Sequence, residues 1–339
     1  MRDIYDYSLL PHNTFGIDVR CHRFVEYSSQ EEARQIAQSL DDSDKPLLIL
    51  GGGSNLLLTA NFPGTVIHSA IKGSEQLPSQ NGEVLLRVGS GEVFDDIVAL
   101  CVARGWYGAE NLSLIPGEVG ASAVQNIGAY GAEASHIIYK VEAVSLEDGR
   151  LCEMMADECR YGYRESRFKH EWKNRFLITY VTYRLSETFV PHLDYGNIRS
   201  ELQQRGISHP TPQQLRDVII GIRQSKLPDP KVEGNAGSFF MNPVVSRKQF
   251  LQLLADYPQM PHYEVDGAHE KIPAGWLIDQ CGWKGRSLGP AGVHAKQALV
   301  LVNRGGATGQ DIVRLCEQIR HDVKAKFNIE LTPEVNIIS

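Results

Sequence analysis

The segment Gly234-Asn235-Ala236-Gly237-Ser238-Phe239-Phe240-Met241-Asn242-Pro243 gathers residue types that suit chemistry better than scaffolding. Glycine lets a backbone approach a bulky ligand closely. The Phe239–Phe240 pair can anchor in a core and so hold Ser238 still. No base stands within sequence reach of Ser238, so it is a poor nucleophile. Its hydroxyl both donates and accepts, and proton delivery is the chemistry that suits it. Taken alone, the segment reads equally as a glycine-rich loop over a buried aromatic pair.

Five other places carry similar potential. Gly51-Gly52-Gly53-Ser54-Asn55 lies between two apolar runs, where consecutive N–H groups can form a nest for an anion. It matches neither the dinucleotide fingerprint nor the phosphate loop, and by itself a tight hairpin turn is the stronger expectation. Residues 115–131, from Ile115 to Gly131, are mostly small, with Glu118 as their only formal charge. Such a segment can lie flat against a planar ring and offer backbone donors to a pyrophosphate. The alternative is a closely packed loop, but so long a glycine-rich loop is costly to order without a ligand. In Tyr161–Lys169, Arg164 can clamp a carboxylate with its planar fork, or simply form a surface salt bridge to Glu165 or elsewhere. Arg223, Lys226 and Lys231 flank Pro228-Asp229-Pro230, a local basic cluster suited to phosphates or to plain solvation. Glu334 is expected on a strand, opposite a face shared by Val335 and Ile337, either exposed or turned into a cleft as a general acid. The eleven histidines include no His-Glu-x-x-His, no Cys/His cluster has ligand spacing, and no metal site is expected.

These segments need elements to position them. Ser29-Gln30-Glu31-Glu32 is a capping-box pattern, and Ala33, Ile36, Ala37 and Leu40 follow at helical spacing. Leu47–Leu50 and Val84–Val88 read as strands, and Phe94, Ile97, Val98 and Cys101 give a helix its apolar face. Strands are predicted over Val141–Leu146 and Phe176–Leu185, a helix over Lys248–Tyr257, another opening at Trp276, and a strand over Ala298–Val302. Thr308 caps the longest helix, striped by Ile312, Leu315, Ile319, Val323 and Phe327. Ile329 to Ile338 is expected to close the chain as a strand interrupted by Pro333.

The chain has 339 residues, enough for two or three domains, with ordinary apolar and charged content. Its formal net charge of -7 provides no global field for nucleic acid, so an anionic ligand needs a local basic cluster. The six cysteines form no Cys-x-x-Cys pair and read as reduced thiols. The start, Met1-Arg2-Asp3-Ile4-Tyr5-Asp6, shows no signal peptide, and no apolar run approaches membrane-spanning length, so a cytoplasmic protein without membrane insertion is expected.

In their order and number these segments resemble the UDP-N-acetylenolpyruvoylglucosamine reductase family, flavoenzymes of peptidoglycan precursor synthesis. The likeness runs from Asn13-Thr14-Phe15-Gly16 to Pro333-Glu334-Val335. It takes in Gly51–Asn55, Ile115-Pro116-Gly117, Gln125–Gly131, Tyr163-Arg164-Glu165-Ser166, Lys226–Pro230, Gly237–Phe240 and Asn242-Pro243. Asp194-Tyr195-Gly196-Asn197 looks like the tyrosine loop of the family's longer form, and Met241 stands where the family often has lysine. The resemblance implies an α+β protein: a vanillyl-alcohol-oxidase-type FAD-binding domain in two lobes, then an α/β substrate-binding domain. The lobes would be 1–70, with the strand 335–339 returning to it, and 71–225; the substrate domain would be 226–334. FAD, bound non-covalently, would be held by Gly51, Gly52, Gly53, Ser54, Asn55, Pro116, Gly117, Gly120, Ser122, Gln125, Asn126, Gly128, Ala129 and Tyr130. A hydride would pass from NADPH through FAD to C3 of the enolpyruvyl group, with Arg164 and Glu334 stabilising the developing charge and Ser238 delivering a proton to C2. Glu334 would then have to carry or share a proton. Tyr195, Lys226 and Asn242 would contact the substrate, UDP-N-acetylglucosamine enolpyruvate, and Ser238, Arg164 and Glu334 would converge beside the flavin. No obligate protein partner is implied. A flavin oxidase of the same fold and a non-catalytic nucleotide binder are the rival readings; a yellow protein bleached by NADPH separates them from a reductase.

Overall fold

Ser29 begins the first helix. Its hydroxyl accepts from the Glu32 amide at 3.1 Å, while the Glu32 carboxylate reaches one residue further back, to the Ser28 amide at 2.6 Å. Half of the expected box is therefore displaced by one residue. Helix α1 (Gln30–Ser39) buries Ala33, Ile36 and Ala37. The computed structural model describes residues 1–339 in full. It divides into two compact units: Met1–Tyr7, Cys21–Gly52 and Pro63–Arg223 form the first, and Ser8–Arg20, Gly53–Phe62 and Gln224–Ser339 the second.

In the first unit a four-stranded sheet runs in the order Arg2–Ser8, Arg20–Tyr27, Phe62–Ser69, Leu47–Leu50. A five-stranded antiparallel sheet runs Leu151–Met155, Ile138–Ser145, Phe176–Ser186, Glu83–Gly89, Ser74–Leu77. Val84, Leu86 and Val88 alternate inward, as period-two burial demands, and pack with Phe94, Ile97, Val98 and Cys101 of α2 (Phe94–Arg104). α3 (Val119–Gln125) packs on the same sheet. α4 (Ile198–Gln204) and α5 (Pro212–Lys226) form a separate apolar cluster through Ile198, Leu202, Leu215, Val218, Ile219 and Ile222.

The second unit holds a four-stranded sheet ordered Gly234–Ser238, Val300–Asn303, Ala291–Val293, Ser287–Leu288, and a three-stranded sheet of Val244–Ser246, His269–Lys271 and Tyr263–Asp266. α6 (Arg247–Asp256), α7 (Ala274–Gln280) and α8 (Gly309–Phe327) complete it. Thr308 and Asp311 form a full reciprocal cap on α8, and Ile312, Leu315, Ile319, Val323 and Phe327 are all buried. No helix is long and apolar enough to cross a membrane.

Three expectations need correction. The glycine turn at 51–55 is not a hairpin: Leu47–Leu50 pairs parallel with Phe62–Ser69, whereas Leu56–Leu58 pairs parallel with Asn336–Ile338. Each apolar run finds its ladder in a different sheet, so the turn is a crossing point. Residues 115–131 are not one long loop, because their small side chains let the seven-residue helix α3 approach neighbouring backbone. The final strand is only Asn336–Ile338; Pro333 makes one isolated bridge to Phe240, and Val335 is buried while Ile337 is exposed. Pro333 sits at a non-hydrogen-bonded position of that bridge, flanked by the Met241 N–H to Thr332 and Glu334 N–H to Phe239 bonds, so the pairing needs no N–H from it.

Thr308→Ala removes a cap whose hydroxyl accepts from the Asp311 amide at 3.2 Å. We expect a loss of about 1 kcal/mol, read as a lower urea midpoint with an unchanged slope.

Candidate functional site

The first unit brings the glycine turn against the 116–121 segment. A Cβ on Gly52 would sit 3.2 Å from the Gly117 Cα, and one on Gly51 would sit 3.0 Å from the Ala121 Cβ. Gly117 has φ +115°, closed to most side chains. Gly120 packs on Ser90, where a Cβ would stand 3.0 Å from the serine Cβ, and its N–H donates to the Ser90 carbonyl at 2.8 Å. Val119 N–H to Glu92 O at 2.9 Å and Phe94 N–H to Gly117 O at 3.0 Å extend this zipper. The result is a cradle of bare backbone.

What fixes the entry to this segment lies far away in sequence. Leu114 holds φ +59°, an uncommon region for a branched side chain. Its N–H donates to Asp95 Oδ1 at 2.5 Å, and Asp95 is gripped by both Arg216 terminal nitrogens at 2.6 and 3.0 Å. The Leu114 carbonyl accepts from Arg223 Nε at 3.2 Å. α5 thus clamps the residue before Ile115-Pro116-Gly117 from both sides. Sequence reasoning passed over Asp95 and Arg216, which pair across 121 positions and form no local pattern.

Within α3, the Ser122 hydroxyl donates to the Val119 carbonyl at 2.6 Å and meets the Tyr183 hydroxyl at 2.8 Å, deep in the core. Asn126 caps the helix in a left-handed conformation, and its side chain is committed internally. Its Nδ2 donates to Glu133 Oε2 at 2.9 Å and to the Gly162 carbonyl at 2.8 Å, and its Oδ1 accepts from the Ser135 amide at 2.9 Å. Gln125 differs: its Nε2 is buried without a partner. Pro116 is exposed, and Gly128 and Ala129 form a short strand.

Arg164 sits in a tight turn closed by reciprocal bonds between Gly162 and Glu165, both 3.0 Å, and takes φ +57°. Its Nη2 donates to the Gly128 carbonyl at 2.7 Å, and a Cβ on Gly128 would meet Nη1 at 3.1 Å. Glu165 is bound instead by His170, at 2.5 Å, and Lys169, at 3.6 Å. Tyr130 meets Tyr195 edge-on at 6.4 Å, and Tyr195 packs beside Gly131. Asn111 Nδ2 holds the Tyr130 carbonyl at 2.8 Å and the His192 carbonyl at 3.0 Å, tying the two tyrosine-bearing segments together. Burial raises the Tyr130 phenol, and Arg223 opposes this. Burial lowers Arg223, with Arg164 adding to the effect and Tyr130 and Asp95 opposing it.

The second unit holds Gly53, Ser54, Asn55, Lys226, Ser238, Asn242 and Glu334. Gly53, at φ +62°, leaves no room for a side chain, since a Cβ would lie 1.9 Å from the His12 carbonyl oxygen. Asn55 accepts from the Asn336 amide at 3.1 Å, joining the turn to the final strand. The segment that opened the sequence reading is a strand with a bulge between Asn235 and Ser238. Gly234 lies so close to Phe15 that a Cβ would come within 2.2 Å of its carbonyl oxygen. Thr14 exchanges bonds with Asn235, N–H to Thr14 O at 2.9 Å and Thr14 Oγ1 to Asn235 O at 2.6 Å. Phe239 and Phe240 are both buried, as expected, with centroids 5.1 Å apart. The Glu334 amide donates to the Phe239 carbonyl at 2.8 Å, and the Met241 amide donates to Thr332 at 2.9 Å. This bridge brings Glu334 opposite the residue that follows Ser238. Asn242 Oδ1 accepts from the Ala274 amide at 2.9 Å at the start of α7, while Lys226 is exposed at the end of α5.

Residues 22–154 match the FAD binding domain, and residues 229–338 match the C-terminal domain of UDP-N-acetylenolpyruvoylglucosamine reductase. A protein of that name from Bacteroides fragilis is 55% identical over 333 residues, covering 98% of this chain and 99% of that protein. One from Porphyromonas gingivalis is 47% identical, covering 98% of each. The chain belongs to the UDP-N-acetylenolpyruvoylglucosamine reductase family. The crystal structure of the Thermus caldophilus reductase shares the fold, with a TM-score of 0.68 at 22% identity over 100% of this chain and 98% of that one. The α+β, vanillyl-alcohol-oxidase-type architecture follows from this match and from the FAD binding domain.

The family cofactor fits what the first unit presents. A Cβ at Gly51, Gly52 or Gly120 would crowd the cradle, and the orphaned Gln125 Nε2 is a buried donor awaiting an acceptor. Gln125→Leu should therefore stabilise the apoprotein by about 1 kcal/mol, because it removes an unsatisfied polar group, and weaken FAD binding about tenfold. Thermal unfolding of the apoprotein and flavin titration read the two effects separately.

Proposed function

We propose that this chain reduces the enolpyruvyl group of UDP-N-acetylglucosamine enolpyruvate to UDP-N-acetylmuramate, a step of peptidoglycan precursor synthesis, using NADPH. The observation that carries this reading is kinship at more than half identity to a named reductase over 333 of the 339 residues. FAD, when bound, accepts a hydride from NADPH and supplies it to C3 of the substrate.

The remaining work belongs to side chains. The reading gives Ser238 the proton for C2, which with the hydride at C3 saturates the double bond; the hydroxyl then regains a proton from solvent. The bulge at 235–238 and the buried Phe239 fix this hydroxyl's position. Arg164 is given the negative charge that develops toward the carboxylate. Its positive φ and its bond to the Gly128 carbonyl hold the guanidinium before substrate arrives, so little reorganisation is needed during reaction. Glu334 is assigned to the same intermediate. Tyr195, Lys226 and Asn242 are assigned to the substrate nucleotide and phosphates; Asn242 uses its oxygen on α7 and keeps its amino group for donation. Gly51–Asn55 and residues 116–130 are assigned to the cofactor. A cytoplasmic location follows from the nucleotide-sugar substrate and agrees with six unpaired cysteines.

Ser238→Ala should leave FAD binding and reduction by NADPH intact and slow reoxidation by enolpyruvyl substrate about 10²–10⁴-fold in stopped-flow absorbance. Equal speed in both half-reactions would remove Ser238 from the mechanism. Glu334→Gln should lower turnover about 10²-fold with flavin content unchanged; loss of flavin instead would assign Glu334 to the scaffold.

A further inference from the structure

A histidine that takes no part in the hydride chemistry stands at the base of the cofactor cradle. His68, on the strand Phe62–Ser69, is buried, and both its ring nitrogens face carboxylates. Nδ1 lies 2.9 Å from Glu26 Oε2, and Nε2 lies 3.0 Å from Glu118 Oε1. Two ring nitrogens can donate together only in the imidazolium form. Glu118 is the residue between Gly117 and Val119, and its other oxygen lies 3.6 Å from where a Gly51 Cβ would be. The bridge therefore ends on the carboxylate that abuts both halves of the cradle.

We propose that His68 is a positioning residue for FAD binding: as an imidazolium strung between Glu26 and Glu118 it fixes the 117–118 segment against the glycine turn and cancels carboxylate charge beside the site of the cofactor's pyrophosphate. This rests on the reading that these glycines hold FAD. The surroundings agree with a charged ring. Arg2 reaches Glu26 at 3.3 Å, and the Phe24 ring stacks near His68 at 6.2 Å. Tyr7 interacts with Arg2, and Tyr27 lies within the field of Glu118. Burial favours the neutral imidazole, but the bonds and charges of Glu118 and then Glu26 outweigh it and raise the His68 pKa. Burial likewise works against the Glu26 carboxylate, and His68 and Arg2 overcome it. The sign is then determined. The stabilising charge is fully present below the ordinary imidazole pKa and is lost as pH rises through the raised one. Above that point the neutral ring no longer offsets Glu118 and Glu26, and a pyrophosphate is repelled.

The test is FAD affinity of the apoprotein, read by quenching of free flavin fluorescence, from about pH 6 to pH 9. Wild-type affinity should fall about tenfold across the range. His68→Gln keeps one donor but no charge, and turns its oxygen toward the other carboxylate. It should bind FAD about tenfold more weakly at the acid end and lose the pH dependence. Glu118→Gln keeps a hydrogen-bond acceptor but removes a charge, so the midpoint of the pH dependence should move to lower pH, and this variant decides the matter if His68→Gln folds poorly. The same slope in wild type and His68→Gln, or an unmoved midpoint in Glu118→Gln, would overturn the assignment. A wild-type protein that takes up no FAD at any pH would remove the cofactor reading itself and this inference with it.

Discussion

Close approach of bare backbone is the constraint on which the first unit's site depends. Gly52 lies so close to Gly117 that a Cβ would be 3.2 Å from its Cα, and Gly120 lies on Ser90 in the same way, at 3.0 Å. A ligand as extended as a dinucleotide cannot be wrapped by long side chains without large losses of rotamer freedom. Backbone donors at fixed positions avoid that loss, but only if the chain can come near enough. The glycines make the approach possible; they do not make it happen. That falls to the polar groups beneath: Asp95, gripped by Arg216, on the Leu114 amide, Arg223 on its carbonyl, and Asn126 pinning residues 133, 135 and 162 around the end of α3. Each of these is buried or half-buried and hydrogen-bonded, the condition under which a polar group rigidifies a fold.

The second unit solves a different problem. The proposed proton donor, Ser238, must be held rigidly on a strand without being covered by it. The strand Gly234–Ser238 pairs with Val300–Asn303 at both ends but bulges between Asn235 and Ser238. Gly237, at φ +70°, absorbs the bend, and Asn235 Oδ1 accepts its N–H at 2.9 Å. Phe239 and Phe240 then anchor the end of the segment, and Glu334 is drawn opposite by its backbone bond to Phe239. Pro333 is tolerated here because its bridge to Phe240 uses the amides of Met241 and Glu334 rather than its own, and the chain then runs on to pair with Leu56–Leu58.

Much of this was legible in the sequence, and what was not has an identifiable cause. α8 was readable because its cap and stripe are local, as were α1, α2 and the anchoring of the Phe pair. The glycine turn was misread as a hairpin because two adjacent apolar runs look alike whether they pair with each other or with strands elsewhere; the partners, Phe62–Ser69 and Asn336–Ile338, differ in sequence distance by hundreds of residues. α3 was missed because Gly120, Ala121 and Ala123 carry no apolar stripe; its helicity comes from close packing rather than from amphipathic pattern. Arg164, Ser238 and Glu334 were each singled out from residue type and setting, but only the family resemblance joined them. The clamp on Leu114 left no trace, because a left-handed leucine is a consequence of tertiary bonds that its own side chain disfavours.

Electrostatics give the last step. An acidic chain that is to bind a pyrophosphate cofactor and a nucleotide diphosphate must arrange its cations locally. Arg164 and Arg223 lie within one another's field, a repulsion partly offset by Asp95 and one that an anionic ligand would relieve further. At the base of the cradle the logic is reversed. On the role proposed for His68, Glu118 abuts the site for negative charge and His68 offsets it from behind. The first arrangement is a repulsion that a bound anion relieves; the second is an attractive bridge already made in the empty protein. Affinity for anions then comes from groups already fixed in place, and net charge on the rest of the surface is free to keep the protein in solution.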